Sequence, residues 1–390
     1  MFKKTKSIKL MFIINSLSYI GMNFHHPITP TLFTELNLPS YIFGTSFATM
    51  CLFSFLFSIY WGEKINKYGR VKILAISTFM YGIGQLCLLL ANNEAFIYLG
   101  RALAGTFVGG NTVALISYII DLSDDNNRGK NISILTASST ISGSIGYLIG
   151  GFAGNTNYKI SLYIQIIWMI LLSIFMIFKV EETYINKDYV AKNTNPFKSF
   201  INMKKYMNYT LLLILFMVLF SNLATSSYDN SFNYYIKAIL DLTPTSNGLF
   251  KFAFGIIGLI INMTINIWIL RSNNISKKLA IILLLCGLFP IGALLFSDMI
   301  PFIMFNVLFF ACNYMYQPIL QTISLENKYD NDISVITGIV NSIKYLGMVI
   351  GSSFAGFIFD IHYNLPFIIS IIGFILASIF CILYYRTNKN

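Results

Sequence analysis

Apolar positions in this chain run in long blocks separated by short polar breaks. Twelve blocks stand out, at roughly 9–28, 42–60, 73–92, 95–119, 131–154, 159–178, 207–228, 245–270, 279–297, 301–323, 333–357 and 364–385. Each holds about 18 or more residues, enough to cross a bilayer as a helix. A helix satisfies its own backbone polar groups, which lipid cannot do. The pattern therefore predicts an all-α integral membrane protein with twelve transmembrane helices. A polar stretch at 179–206, containing Glu181-Glu182, Asn193 to Pro196 and Lys204-Lys205, divides them six and six. The expected organisation is a six-helix bundle over 1–178, a cytoplasmic linker over 179–206 and a second six-helix bundle over 207–390. No stretch remains that is long enough for a separate soluble domain.

Composition agrees, and charge orients the chain. Charged residues are only 11% of the total, against about 25% in soluble domains. The net charge of +11 would point to nucleic acid in a soluble protein. Here 22 of the 27 Lys and Arg fall on one side of the predicted topology, with Lys159 and Lys237 on the other and Arg101, Lys251 and Lys344 within spans. This positive-inside bias places both termini in the cytoplasm and makes the basic charge a topology signal, so no nucleic-acid partner is expected. The five Cys all lie in apolar spans without metal-like spacing and read as small buried hydrophobes. Lys3-Lys4-Thr5-Lys6 precedes an apolar run with no small-residue cleavage site, which reads as the first helix rather than a signal peptide.

The two halves carry an internal repeat. Ile132-Ser133-Ile134-Leu135-Thr136 opens the fifth segment, and Ile333-Ser334-Val335-Ile336-Thr337 opens the eleventh. At the same offset Gly146 falls on Gly347 and Gly150 on Gly351. Repeated halves around a midplane site are a transporter design. Gly four apart also lets helices pack closely, and contact between the fifth and eleventh segments would help to form a gate.

Four local motifs add a family resemblance. The first segment ends Gly21-Met22-Asn23-Phe24-His25-His26-Pro27-Ile28-Thr29-Pro30, a Gly followed by Pro-x-x-Pro. Between the second and third segments stands Gly62-Glu63-Lys64-Ile65-Asn66-Lys67-Tyr68-Gly69-Arg70-Val71-Lys72. The fourth carries Arg101-Ala102-Leu103-Ala104-Gly105, and the fifth Gly146-Tyr147-Leu148-Ile149-Gly150-Gly151. Together these resemble the 12-spanner drug–proton antiporters of the major facilitator superfamily. The resemblance implies two six-helix bundles with alternating access, a gating bend at Pro27 and Pro30, and a conformational latch at Gly62, Asn66, Gly69 and Arg70. It associates Arg101 with proton coupling and Gly146 and Gly150 with conformational change, and the internal repeat extends that role to Gly347 and Gly351. Asn66 replaces the family's Asp, which forfeits a charge interaction of about 0.3–1 kcal/mol with a helix N-terminus. Tyr147 replaces a Pro of the exporter element, and Ser142 an earlier Gly, so that element is partial.

Residues that would line a cavity follow from polarity inside spans. Lys251, Gly255, Gly258, Asn262 and Asn266 share a narrow arc of the eighth segment at about 100° per residue. Asn306, Asn313, Gln317 and Gln321 do the same in the tenth. Lipid cannot satisfy amides, so both stripes face protein or water, either as interhelical hydrogen bonds or as a cavity lining. Lys344 lies near the middle of the eleventh. The sixteen acids all read as loop or helix-end residues, with Asp229, at the outer end of the seventh segment, nearest to a cavity. A pocket with Arg101, Lys251 and Lys344 but no central acid would attract an anion and repel a lipophilic cation. For proton coupling, His25 and His26 qualify by an intrinsic pKa near 6.5, and Asp229 if buried.

No phosphate-binding Gly-x-x-x-x-Gly-Lys-[Ser/Thr] loop, His-Glu-x-x-His pair or Gly-x-Ser-x-Gly elbow is present, and the only His are 25, 26 and 362. The expectation is a non-enzymatic, cofactor-free secondary transporter, monomeric, in a bacterial plasma membrane. It exports a small amphipathic compound, a drug or an anionic or zwitterionic metabolite, against protons. Uptake or exchange of an organic anion or sugar is the alternative on the same fold. A membrane sensor or intramembrane enzyme is the alternative from another class.

Overall fold

A computed structural model describes residues 2–183 except 40, and 203–387 except 239, 241, 296–298, 326–332 and 360. Most of the linker expected at 179–206 therefore lies outside the described residues. Helix dominates what is described. The twelve long helices are α1 (Phe2–Met22), α2 (Tyr41–Tyr68), α3 (Arg70–Leu89), α4 (Glu94–Leu122), α5 (Asp125–Ala153) and α6 (Tyr158–Lys179) in the first half. The second half holds α7 (Tyr209–Ala238), α8 (Pro244–Met263), α9 (Ile275–Leu295), α10 (Met299–Leu325), α11 (Ile333–Phe359) and α12 (Leu365–Thr387). Among the described residues eleven helices are long and apolar enough to cross a membrane, and α1 adds a shorter apolar stretch, Ile8–Met22. The end of the bundle that carries both chain termini is called the terminal end, and the opposite one the far end.

Several boundaries differ from the hydropathy pattern for identifiable reasons. α1 stops at Met22, and after a turn the short helix Thr29–Glu35 begins with Pro in its first turn, where the missing N–H costs nothing. α2 continues through Gly62 and Asn66 to Tyr68, so the stretch expected as a loop is largely helical. The reversal into α3 takes one residue, Gly69, at φ +94°. The Glu182 carboxylate then receives the Arg70 and Val71 N–H groups at 2.8 and 3.0 Å, which neutralises the positive end of α3. α7 runs on to Ala238 because Tyr228, Phe232 and Ile236 extend its buried stripe at helical spacing. α8 breaks at Thr264, whose hydroxyl donates back to the Ile260 carbonyl at 2.6 Å, and resumes as Ile265–Leu270.

Packing repeats between the halves. α1 lies on α5 as α7 lies on α11, and α3 lies on α6 as α9 lies on α12. The aligned glycines explain the first pair of contacts. A Cβ on Gly146 would strike the Ile20 carbonyl of α1 and one on Gly150 the Phe24 carbonyl just beyond it, while one on Gly347 or Gly351 would strike the Leu219 or Leu223 carbonyl of α7. These glycines thus seat helices within each half, and the expected contact between α5 and α11 is not what they make. The halves meet through α2 on α11 and α5 on α8, which are equivalent under the same repeat.

Side chains larger than Gly should therefore part α1 from α5. Gly150→Val is expected to lower stability by about 1–3 kcal/mol through overpacking. Gly143→Ala, whose Cβ meets only the Asn23 amide at 3.2 Å, should cost about 0.5 kcal/mol or less. Thermal unfolding of both purified variants in detergent checks the contrast.

Candidate substrate cavity

Polar residues that lipid would not tolerate converge between the halves. Asn15 and Tyr19 share one face of α1, and Asn23, in the turn just beyond it, continues their four-residue spacing. Thr136, Thr140, Ser144 and Tyr147 form a matching face of α5. With Asp229, Lys251, Tyr314, Gln317, Gln321 and Lys344 they line a cavity of about 250 Å³. A smaller chamber of about 60 Å³ continues past Gln317, Gln321 and Lys344 to Ser324 and Thr337, toward the terminal end. Thr136 donates to Gln321 Oε1 at 2.8 Å where the chambers adjoin, tying α5 to α10.

The far end is closed by backbone contact. Gly44 of α2 and Gly356 of α11 lie so close that a Cβ on Gly356 would sit 3.0 Å from Gly44 Cα. Gly151 abuts the Pro244 carbonyl, and Gly248 the Tyr147 carbonyl, each at 2.8 Å from an added Cβ. Thr245 donates to Asn155 Oδ1 at 2.9 Å. Tyr41 stacks on Phe357, and Phe43 meets Tyr234 at 5.6 Å.

Two charges meet at the cavity's inner end. The Lys251 ammonium donates to Asp229 Oδ1 at 2.5 Å. Lys251 is almost fully buried, whereas the Asp229 side chain keeps 38% of its surface exposed, on the cavity. The extension of α7 makes this possible, because it puts Asp229 in the body of the helix rather than at its outer end. The cavity thus contains an acid, and the expectation of an acid-free pocket is corrected. Lys251 is accordingly paired rather than a free counter-charge. Lys344 differs: it lines both chambers and has no ion-pair partner among the described residues.

Arg101 lies outside the cavity lining. It is 2% exposed and donates to His25 Nε2 at 2.7 Å and Thr29 Oγ1 at 3.3 Å. A guanidinium only donates, so His25 Nε2 must accept, and a proton there would face a second donor. Gln165 Nε2 lies 3.2 Å from the other ring nitrogen and donates to the Gly21 carbonyl at 2.7 Å. His26 packs on His25 at 4.2 Å and stacks on Tyr147 at 5.2 Å. Pro27 and Pro30 frame this turn.

The remaining predicted residues divide between structure and lining. Asn266 donates to Asn262 Oδ1 and to the Met315 carbonyl at 3.2 Å, holding α8 to α10 beside its break. Asn313 Oδ1 accepts from Thr225 at 3.2 Å and from Gln317 at 3.4 Å. These three Asn are not among the cavity-lining residues, while Gln317 is. Asn66 is buried, and Arg70 pairs with Asp121 at 2.9 Å inside the first half. The turn preceding α11, opposite which the resemblance sets residue 66, lies outside the described residues. Sequence reasoning missed the α1 and α5 faces, although their four-residue spacing was a usable signal. It also missed Glu182, whose role depends on a contact more than a hundred residues away in the chain.

The family model for the Major Facilitator Superfamily matches residues 11–348. Multidrug resistance protein 2 of Bacillus subtilis is 18% identical over 99% of this chain and 96% of its own length. Quinolone resistance protein NorA of Staphylococcus aureus is 22% identical over 98% of this chain and 97% of its own. The crystal structure of the human organic anion transporter MFSD10 (TETRAN) superposes with a TM-score of 0.75 at 12% identity, covering 98% of this chain and 99% of that one.

Removing the acceptor beside Arg101 should strand a buried charge. His25→Ala is expected to cost about 1.5–3 kcal/mol, the scale for a hydrogen bond to a charged group. His25→Gln, which still offers an acceptor, should recover part of that in the same melting assay.

Proposed function

The chain belongs to the major facilitator superfamily, and from that premise we propose that it exports small amphipathic compounds bearing an acidic group in exchange for protons. A multi-pass transporter of this family acts by rocking two bundles about a central site. The observation that carries the finer reading is the cavity's charge arrangement: Lys344 between the chambers, without a counter-ion among the described residues, and Asp229 held by Lys251 at the inner end. Lys344 offers an anionic group its strongest attraction, with the amides of Gln317 and Gln321 beside it. Tyr19, Tyr147 and Tyr314 supply ring surface for an apolar body. Drug resistance in the names of the two bacterial relatives supports the outward direction.

Asp229 is the better proton site. Its carboxylate faces the cavity, whereas His25 Nε2 is already taken by Arg101. Substrate seated against Tyr147 and Asp229 would exclude the water that brings the proton, so the two occupy the site in turn. The positive-inside bias puts the terminal end in the cytoplasm, so the described conformation receives substrate from there.

One observation favours a second reading, proton–anion symport. Protonating Asp229 leaves Lys251 and Lys344 both uncompensated, which strengthens anion binding rather than opposing it. Everted membrane vesicles with an acidified lumen separate the two by sign. Exchange predicts that an added aromatic sulfonate, which does not cross as a free acid, raises lumenal pH; symport predicts further acidification. Lys344→Ala should weaken the response about tenfold or more, the effect of about 1.4 kcal/mol, and Asp229→Asn should abolish it. A full response in both variants would refute the assignment of these two residues.

A further inference from the structure

We infer that Asp229, Phe232 and Phe310, with Tyr147 facing them from the other half, form an organic-cation subsite that the chain fills with its own Lys251. The Lys251 ammonium lies 4.5 Å from the Phe310 ring centre, 5.3 Å from Phe232 and 5.8 Å from Tyr147. Its anionic partner among the described residues is Asp229. A carboxylate with ring faces on several sides is the chemistry that binds alkylammonium groups, because the rings present negative quadrupole and the acid cancels the charge. Phe310 and Phe232 are almost fully buried, and Phe254 backs Phe310 at 4.4 Å, so the box is rigid. The subsite is continuous with the cavity through Asp229, Lys251 and Tyr147, which line it. Lys251 is thus a specificity determinant. As a tethered cation it denies the carboxylate and the rings to cationic amphiphiles, and it leaves Lys344 to select the substrate.

The inference does not depend on transport direction or on proton coupling, since it concerns equilibrium binding to purified protein. The probe is radiolabelled benzyltrimethylammonium, measured by scintillation proximity in detergent. Wild type and Asp229→Asn should bind it equally weakly, because the subsite is occupied. Lys251→Ala, which vacates the box, should bind it about tenfold tighter or more. Lys251→Met removes the charge but keeps a chain in the box, so it should gain much less than Lys251→Ala. Adding Asp229→Asn to Lys251→Ala should return binding to the wild-type level. Tight binding by wild type that Asp229→Asn abolishes would overturn the proposal, since the subsite would then be open. So would an equal gain in the Met and Ala variants, or a gain that survives loss of Asp229. The wild-type and Asp229→Asn comparison can still overturn the proposal if Lys251→Ala folds poorly.

Discussion

The ion pair between Asp229 and Lys251 is the interaction on which the rest of the cavity depends. A charged side chain at mid-membrane costs about 2.5–3.5 kcal/mol even on the insertion scale that rates it lowest. Removing Asp229 would leave the buried Lys251 ammonium without its counter-charge, a loss tempered by the exposure of the carboxylate on the cavity. The pair therefore holds α7 and α8 in register, and Tyr147 brings α5 of the other half over the same ammonium. On the proposed exchange, protonation of Asp229 would change the charge balance beside the contact of α5 with α8, and through it the state of a single acid would govern closure of the far end.

Glycine backbones make that linkage mechanical. Gly146, Gly150, Gly347 and Gly351 seat α5 on α1 and α11 on α7, so each half is built around a helix pair packed at near-backbone distance. Between the halves, closure at the far end rests on Gly44 with Gly356, Gly151 with Pro244 and Gly248 with Tyr147. Such contacts have few side-chain intermediates, which suits two tight halves that move as units. The polar part of the interface lies toward the terminal end, where Thr136 donates a hydrogen bond to Gln321.

Much of this was legible in sequence, because a bilayer imposes length and polarity rules on every span. The twelve helices, the two-fold repeat and the family follow from block hydropathy and from a few Gly and Arg positions. What escaped was where polarity continues a helix instead of ending it. Asp229 to Lys237 reads as a helix exit, yet α7 continues, with Asp229 facing Lys251 and the cavity while Phe232 and Ile236 stay buried. The same blindness placed Arg101 in the cavity, since sequence cannot reveal that His25 and Thr29 fold back to receive it. Asn262, Asn266 and Lys251 share one helical arc, but the break at Thr264 gives the two Asn a structural task. Amphipathic faces locate a cavity better than single charges do.

The claim that the charge of Asp229 governs closure is tested most directly by distances between spin labels on the two halves. In a cysteine-free background, labels at Phe152→Cys on α5 and Leu249→Cys on α8 report the far end. Labels at Ile134→Cys on α5 and Trp268→Cys, in the segment that resumes α8, report the terminal end; all four native residues are exposed. Neutralising Asp229 by Asp229→Asn should lengthen the far-end distance and shorten the terminal-end distance. If both distances stay fixed, or change in the same direction, the pair does not govern which end is closed.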